Sequence, residues 1–285
     1  MNDTNIVANK YKIIQKIGSG SFGSIFKGIN IRTQEKVAIK IEQITDELKL
    51  LKHESNIYRL LSNVDGVPKI KWYGKDNLNY YMVIDLFGDS LQELLDKSLK
   101  LPLKTILQIG FNILNILMKI HDIGIIHRDI KPENFLLTMH KPRKVFLIDF
   151  GISKPYTINN KHIEFKIKNK FIGTLNFASI NSHNFCEQSR RDDLESLAYM
   201  LIYFYLGELE WINKNEIENE IDYNNFETEN NYIKYKKNMI KEIKDIPTIL
   251  IDFYKKTKEL SFEERPQYEN YMDNFREEIV KLVNL

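Results

Sequence analysis

The chain has 285 residues, 43% hydrophobic and 28% charged, proportions that build a buried core. Its 41 basic and 39 acidic side chains nearly cancel, so charge gives no ground for a nucleic-acid or membrane partner, and none is expected. A single cysteine, Cys186, excludes an internal disulfide and is expected as a small apolar core residue in a reducing compartment.

The first residues are polar and lack the apolar run of a secretory leader. Tyr11 to Ile41 alternates apolar and polar positions (Ile13, Ile17, Ile25, then Val37, Ile39, Ile41) and predicts strands. Thr45 to Leu61 reads as a helix with Asp46 as N-cap and Leu48, Leu51, Leu60 and Leu61 as apolar positions. Strands are expected around Ile70–Tyr73 and Tyr80–Phe87, and Gly88 marks a break. Beyond it the pattern is helical: a first helix from Leu91, a strong second one over Leu103–His121, and others at roughly 191–206 and 246–259. A short strand, Val145–Ile148, interrupts them. The most apolar run, Leu197 to Leu206, is about half a bilayer span and predicts a helix buried on all sides. Residues 207–245 show no clean period and are expected as a loop-plus-helix insertion. The fold class is α+β: a small β-rich N-terminal lobe, 1–87, and a larger mainly helical lobe, 88–285, forming one domain that binds its ligand between lobes. The protein is expected to be soluble, intracellular (cytoplasmic or nuclear) and monomeric.

Gly18-Ser19-Gly20-Ser21-Phe22-Gly23 is the first chemical signal. Dinucleotide-binding folds share this spacing, but there the glycines open a helix, whereas Ser24-Ile25-Phe26-Lys27 continues as a strand. Glycine N–H groups can approach phosphate oxygens closely, although a plain turn would read the same way. Lys40 ends the strand Val37-Ala38-Ile39-Lys40 and needs an acid to aim its ammonium. Glu54, at mid-helix, is the expected partner; Glu47, two turns earlier, competes with it. The decisive run is His127-Arg128-Asp129-Ile130-Lys131-Pro132-Glu133-Asn134, followed by Asp149-Phe150-Gly151. Phosphoryl transfer needs these residue types. Asp129 would orient the attacking hydroxyl and accept its proton. Asn134 and Asp149 offer hard oxygen ligands to Mg²⁺ on the phosphates of ATP, and Lys131 would neutralise charge on the moving group.

Together these motifs resemble the protein kinase signature set. Lys131, two residues after Asp129 and followed by Pro-Glu-Asn, resembles serine/threonine kinases rather than tyrosine kinases. Phe177-Ala178-Ser179-Ile180-Asn181-Ser182-His183 and Glu187-Gln188-Ser189-Arg190-Arg191-Asp192-Asp193-Leu194-Glu195-Ser196 are similar to the casein kinase 1 family, whose Ser-Ile-Asn replaces the usual Ala-Pro-Glu. The resemblance runs from about Tyr11 to Phe275. It implies a bilobal kinase fold and transfer of the ATP γ-phosphoryl group, with Mg²⁺, to serine or threonine of protein substrates. It also implies catalytic roles for Lys40, Glu54, Asp129 and Lys131, metal ligation by Asn134 and Asp149, and a bracing role for Asp193. ATP would be covered by Ile17, Gly18, Gly20, Gly23, Ile25 and Ala38, with Ile84 gating the back of the adenine pocket. Asp85, Leu86 and Phe87 would form the hinge, and Leu137 and Ile148 the lower face.

Family members favour substrates with acidic or already phosphorylated residues, which requires a cationic pocket. Arg128, Lys154, Lys166, Lys168 and Lys170 are the candidates, with a merely solvated basic loop as the alternative. One departure bears on this. The family's Gly-Thr-Ala-Arg is Gly173-Thr174-Leu175-Asn176 here, a neutral amide in place of a bidentate guanidinium, and an acidic run, Asn215 to Glu229, follows downstream. The rival reading, an inactive kinase-fold scaffold that binds partners, should lack the lysine or a metal-binding residue. Lys40, Asp129, Asn134 and Asp149 are all present. With no long tail after the resemblance, constitutive activity is expected.

Overall fold

The structure is a computed structural model that describes residues 5–20, 23–44, 50–209, 211–212, 232–238 and 245–284. By its contacts the chain divides into two compact units, 1–89 with 136–152, and 90–135 with 153–285.

The first unit is built on an antiparallel sheet of β1 (Ile6–Val7), β2 (Tyr11–Gly20), β3 (Gly23–Asn30), β4 (Lys36–Gln43), β5 (Trp72–Lys75) and β6 (Asn79–Asp85), in the order β1-β2-β3-β4-β6-β5. The period-2 pattern sorts the residues by face. Val37, Ile39 and Val83 are buried with Val7 and Tyr11 in one core, so Ala38 and Lys40 point to the other face. Gly23 has φ +138°, and a Cβ there would stand 2.3 Å from the Ile41 carbonyl, so the β2–β3 turn accepts only glycine at that point. Helix α1 (Leu50–Leu60) buries Leu51, Glu54, Ser55, Ile57 and Tyr58, one helical face. Glu42 at the end of β4 accepts the Leu51 N–H at 2.8 Å. The expected N-cap Asp46, and the competitor Glu47, lie outside the described residues.

A boundary near residue 87 gives 136–152 to the helical lobe; the contacts of this segment run instead to the first unit. Gly88 N–H donates to Leu137 O at 2.8 Å, and Leu147 N–H donates to Gly66 O at 2.8 Å. The Phe87 and Phe146 rings lie 4.7 Å apart, and Tyr58 meets Phe150 edge-on at 5.0 Å.

The second unit is helical. Helix α2 (Leu91–Ser98) opens with a capping box: Glu93 N–H donates to Ser90 Oγ, and Ser90 N–H to Glu93 Oε2. Helix α3 (Leu103–Asp122) packs on α5 (Arg190–Leu206) and on α7 (Tyr268–Val283). Gly110 permits that approach, since a Cβ there would meet Phe275 at 2.7 Å and Leu201 at 3.0 Å. By length and composition α3 could cross a membrane, but Ile106, Leu107, Ile113, Leu114, Leu117 and Ile120 are buried inside this unit. Helix α4 (Ile180–His183) is one short turn, and α6 (Thr248–Glu259) packs on α5. Helix α5 is buried from Asp192 to Ile202 without interruption and again at Phe204, while Tyr203, Tyr205 and Leu206 are only half-buried. The run expected to be covered on all sides, Leu197 to Leu206, is therefore covered to Ile202 and opens over its last turn.

Three features differ from expectation. Strand β5 begins at Trp72, two residues beyond the predicted start, and α7 was not foreseen. In α7 Tyr268, Tyr271, Met272 and Phe275 are buried at helical spacing, but the intervening Glu, Asn and Asp residues mask the stripe. Cys186 is half-buried in a loop beside Ile167, not in the core. Within 207–245, residues 232–238 are helical, while the acidic run 215–229 lies outside the described residues.

Candidate active site

In the first unit one cation meets two carboxylates. Lys40 Nζ lies 2.7 Å from Glu54 Oε2 and 3.1 Å from Asp149 Oδ1. β4 presents Lys40, α1 presents Glu54, its fifth residue, and Asp149 follows the short strand Val145–Leu147. Burial acts against the Lys40 charge, but the Glu54 and Asp149 carboxylates outweigh it and raise its pKa, so the ammonium stays protonated. Glu54 is raised to about 7, chiefly by burial, with Lys40 pulling it down and Asp149 adding to the rise. Asp149 has φ +66°, a left-handed backbone uncommon outside glycine. Its N–H donates to Tyr58 Oη at 3.2 Å, and the Tyr58 ring packs on Phe150. Tyr58 therefore holds the Asp149 turn, a contact that no spacing in the sequence announces.

The sheet register gathers the expected nucleotide residues on one face. Ile25 pairs with Lys40, Lys40 with Met82, and Ala38 with Ile84. Cross-strand partners project to the same side, so Ile25, Ala38, Lys40 and Ile84 share the face opposite the Val37–Ile39–Val83 core. Gly18 pairs with Ile25 and Gly20 with Gly23 at the β2–β3 turn, and Ile17 is half exposed. After β6, the Asp85 carboxylate pairs with Lys71 at 2.8 Å and Phe87 packs on Phe146, while Leu86 is half-buried. Leu137 is buried and Ile148 half-buried.

In the second unit one carboxylate meets three donors. Asp129 Oδ1 accepts from Thr174 Oγ1 at 2.6 Å, and Asp129 Oδ2 lies 2.8 Å from Lys131 Nζ and 3.1 Å from Asn134 Nδ2. Lys131 Nζ also donates to Thr174 Oγ1 at 2.8 Å. Because the Asn134 amide nitrogen is turned to Asp129, its amide oxygen is the atom offered elsewhere. The Thr174 hydroxyl is a partner of Asp129 that the sequence reading did not assign. It lies 45 positions from Asp129, and only the fold joins them.

The loop that carries Asp129 is held from beneath by Asp193 of α5. Asp193 accepts the N–H groups of His127 and Arg128, each at 2.8 Å, and bonds His121 Nε2 at 2.9 Å. Burial works against its charge, yet the His121 bond and the neighbouring imidazole and amide groups win and hold the carboxyl below its ordinary range. His121 Nδ1 in turn bonds the Tyr268 hydroxyl at 2.5 Å, tying α7 to the same loop.

The five candidate cations divide. Lys154 and Lys168 approach Glu187 Oε1 at 3.0 and 2.7 Å, and Arg128 senses the same carboxylate although burial lowers its pKa. Burial also lowers Lys168, with Arg128 and Lys154 repelling it. A buried internal acid thus sits among three cations, a neighbour the sequence reading did not supply. Lys166 and Lys170 are exposed. Asn176, the departure from the family pattern, is engaged inside the unit: its carbonyl accepts Trp211 Nε1–H at 2.8 Å and its Oδ1 the Tyr232 hydroxyl at 3.2 Å.

Among the described residues no cluster of three or more His, Cys, Asp and Glu side chains could hold a metal ion. Hard-oxygen donors are offered separately in the two units, the Asn134 amide in the second and the Asp149 carboxylate in the first. Residues 11–275 match the family model of the protein kinase domain, 93% of the chain's length by that span. The chain belongs to the protein kinase family.

Proposed function

We propose that the chain is a serine/threonine kinase resembling casein kinase 1, moving the γ-phosphoryl group of ATP to protein hydroxyls near acidic or phosphorylated residues. The observation that carries this reading is the Thr174 hydroxyl at 2.6 Å from Asp129 Oδ1, with Lys131 against both. An internal threonine O–H already donates to this carboxylate, so a substrate alcohol has an acceptor of suitable chemistry and a cation beside it. Asp129 then orients the attacking oxygen and takes its proton, and Lys131 offsets negative charge as the phosphoryl group arrives.

The Lys40 ammonium, kept protonated and aimed by Glu54, suits triphosphate oxygens, and the face with Ile25, Ala38 and Ile84 suits the adenine ring. Asn134 and Asp149 would hold Mg²⁺, which when bound neutralises phosphate charge. Arg128, Lys154 and Lys168 gather around Glu187, with Asp193 also acting on Arg128, and this group of cations supports a preference for anionic substrates. With the amide of Asn176 turned to Tyr232, that preference rests on the Glu187 group of cations.

The test is phosphoamino-acid analysis of an acidic, casein-like protein after incubation with the chain and Mg·ATP. Phosphoserine or phosphothreonine is expected. Phosphotyrosine alone, or no transfer beyond solvent hydrolysis, contradicts the reading.

A further inference from the structure

Immediately after Thr174 the chain makes a tight turn. Phe177 and Ala178 both donate their N–H groups to Thr174 O, at 3.1 and 2.9 Å. The carbonyls of this turn face inward and meet donors from a later part of the chain. Lys236 Nζ, fully buried, donates to Leu175 O at 2.8 Å and Ala178 O at 2.6 Å, and contacts His183 Nε2 at 2.8 Å. Trp211 Nε1–H reaches Asn176 O, and Tyr232 Oη reaches Asn176 Oδ1.

The same ammonium lies 5.0 Å from the Tyr199 ring and 5.6 Å from those of Trp211 and Tyr232. A buried cation survives only where carbonyl dipoles and ring faces replace water. Burial and the Lys236 charge together hold His183 well below its usual pKa, so its imidazole is neutral and can accept from the ammonium. A lysine that gives up its hydration entirely to grip two carbonyls of one five-residue turn has a mechanical consequence: the turn cannot shift without stranding the charge.

We propose that Lys236 is a positioning residue for phosphoryl transfer, clamping the 174–178 turn and so holding the Thr174 hydroxyl on Asp129 and Lys131. This rests on the role assigned above to Asp129. A peptide presenting its hydroxyl to that carboxylate must lie along the residues next to Thr174, so a loosened turn weakens peptide binding. Lys40, Glu54 and Asp149 belong to the other unit and keep their own bonds. ATP binding is therefore spared.

The experiment compares wild type with Lys236→Met and Lys236→Arg in the full chain. Steady-state kinetics use a serine peptide flanked by glutamates, and hydrogen exchange is followed at the 177 and 178 amides. In Lys236→Met the peptide KM is expected to rise at least fivefold with the KM for ATP within twofold, and the two amides to exchange at least tenfold faster. Lys236→Arg, which restores charge and donors, is expected to recover most of both losses. If Lys236→Met does not fold, Trp211→Phe keeps a ring and removes the bond to Asn176 O; a threefold rise in peptide KM is expected there. Unchanged amide exchange, or equal changes in the constants for peptide and ATP, overturns the clamp. Wild type that transfers no phosphate refutes the kinase reading, and the exchange measurement still decides the clamp on its own.

Discussion

The two units hold their reactive groups in opposite ways. In the first, a nearly buried lysine is caught between a buried glutamate and a half-exposed aspartate, and the charges themselves lock the arrangement. In the second, Asp129 sits on a loop whose backbone is fixed from below by Asp193, and its carboxylate is met by a hydroxyl, an amide and an ammonium at the surface of that loop. An ion cluster removed from water couples its chemistry to stability, because a missing partner leaves an uncompensated buried charge. A hydrogen-bonded loop on a separate buried brace uncouples them: the reactive side chain can change while the brace persists. Substitutions in the first set should therefore show in unfolding, and substitutions in the second set in rate.

The largest expected effect on stability follows from Lys40→Met, which leaves Glu54 and Asp149 facing each other. A loss on the order of 3 kcal/mol is expected in urea unfolding at neutral pH. The sign with pH is fixed by Glu54, whose folded pKa is already raised to about 7. The wild-type carboxyl ionises through about 7, and without Lys40 it ionises only at higher pH, so the variant's deficit should stay level below about pH 6 and grow from about pH 7 to pH 9. A deficit that shrinks over that window would break the comparison at its first term.

Asp193→Asn is expected to cost about 2 kcal/mol at pH 7, since the charged acceptor of two backbone N–H groups is lost. The folded pKa of Asp193 is depressed, so its contribution is present above the unfolded value of about 4 and is lost as pH falls through the folded one. Acid unfolding curves of the two proteins should therefore converge below about pH 4. Thr174→Val should be the mildest, with kcat lowered about tenfold, roughly 1.4 kcal/mol, and little change in the unfolding midpoint. A Thr174→Val protein as unstable as Lys40→Met would erase the contrast between the units.

Much of the arrangement was legible in the sequence, because short-range rules govern it. Strand alternation put Val37 and Ile39 on one face with Ala38 and Lys40 opposite, and the mid-helix position of Glu54 singled it out over Glu47 as the partner of Lys40. The loop signatures named Asp129, Asn134 and Asp149 through residue type and spacing. What stayed hidden depends on long-range packing. Thr174 reaches Asp129, Tyr58 reaches Asp149, Glu187 enters the cation group, and Lys236 enters the turn after Thr174, each across 33 to 91 positions of chain. Neither period nor composition carries such information. The second unit's loops also mix polar residues freely, so a buried ammonium such as Lys236 looks like any surface lysine until its neighbours are known.

The most direct measurement is the rate of phosphate transfer from radiolabelled Mg·ATP to a serine peptide by wild type and by Asp129→Asn, at equal concentrations of folded protein. We expect kcat to fall by about 10³ or more while the unfolding free energy stays within roughly 1 kcal/mol of wild type. Transfer by Asp129→Asn at near wild-type rate would remove Asp129 from the chemistry and contradict the account at its centre.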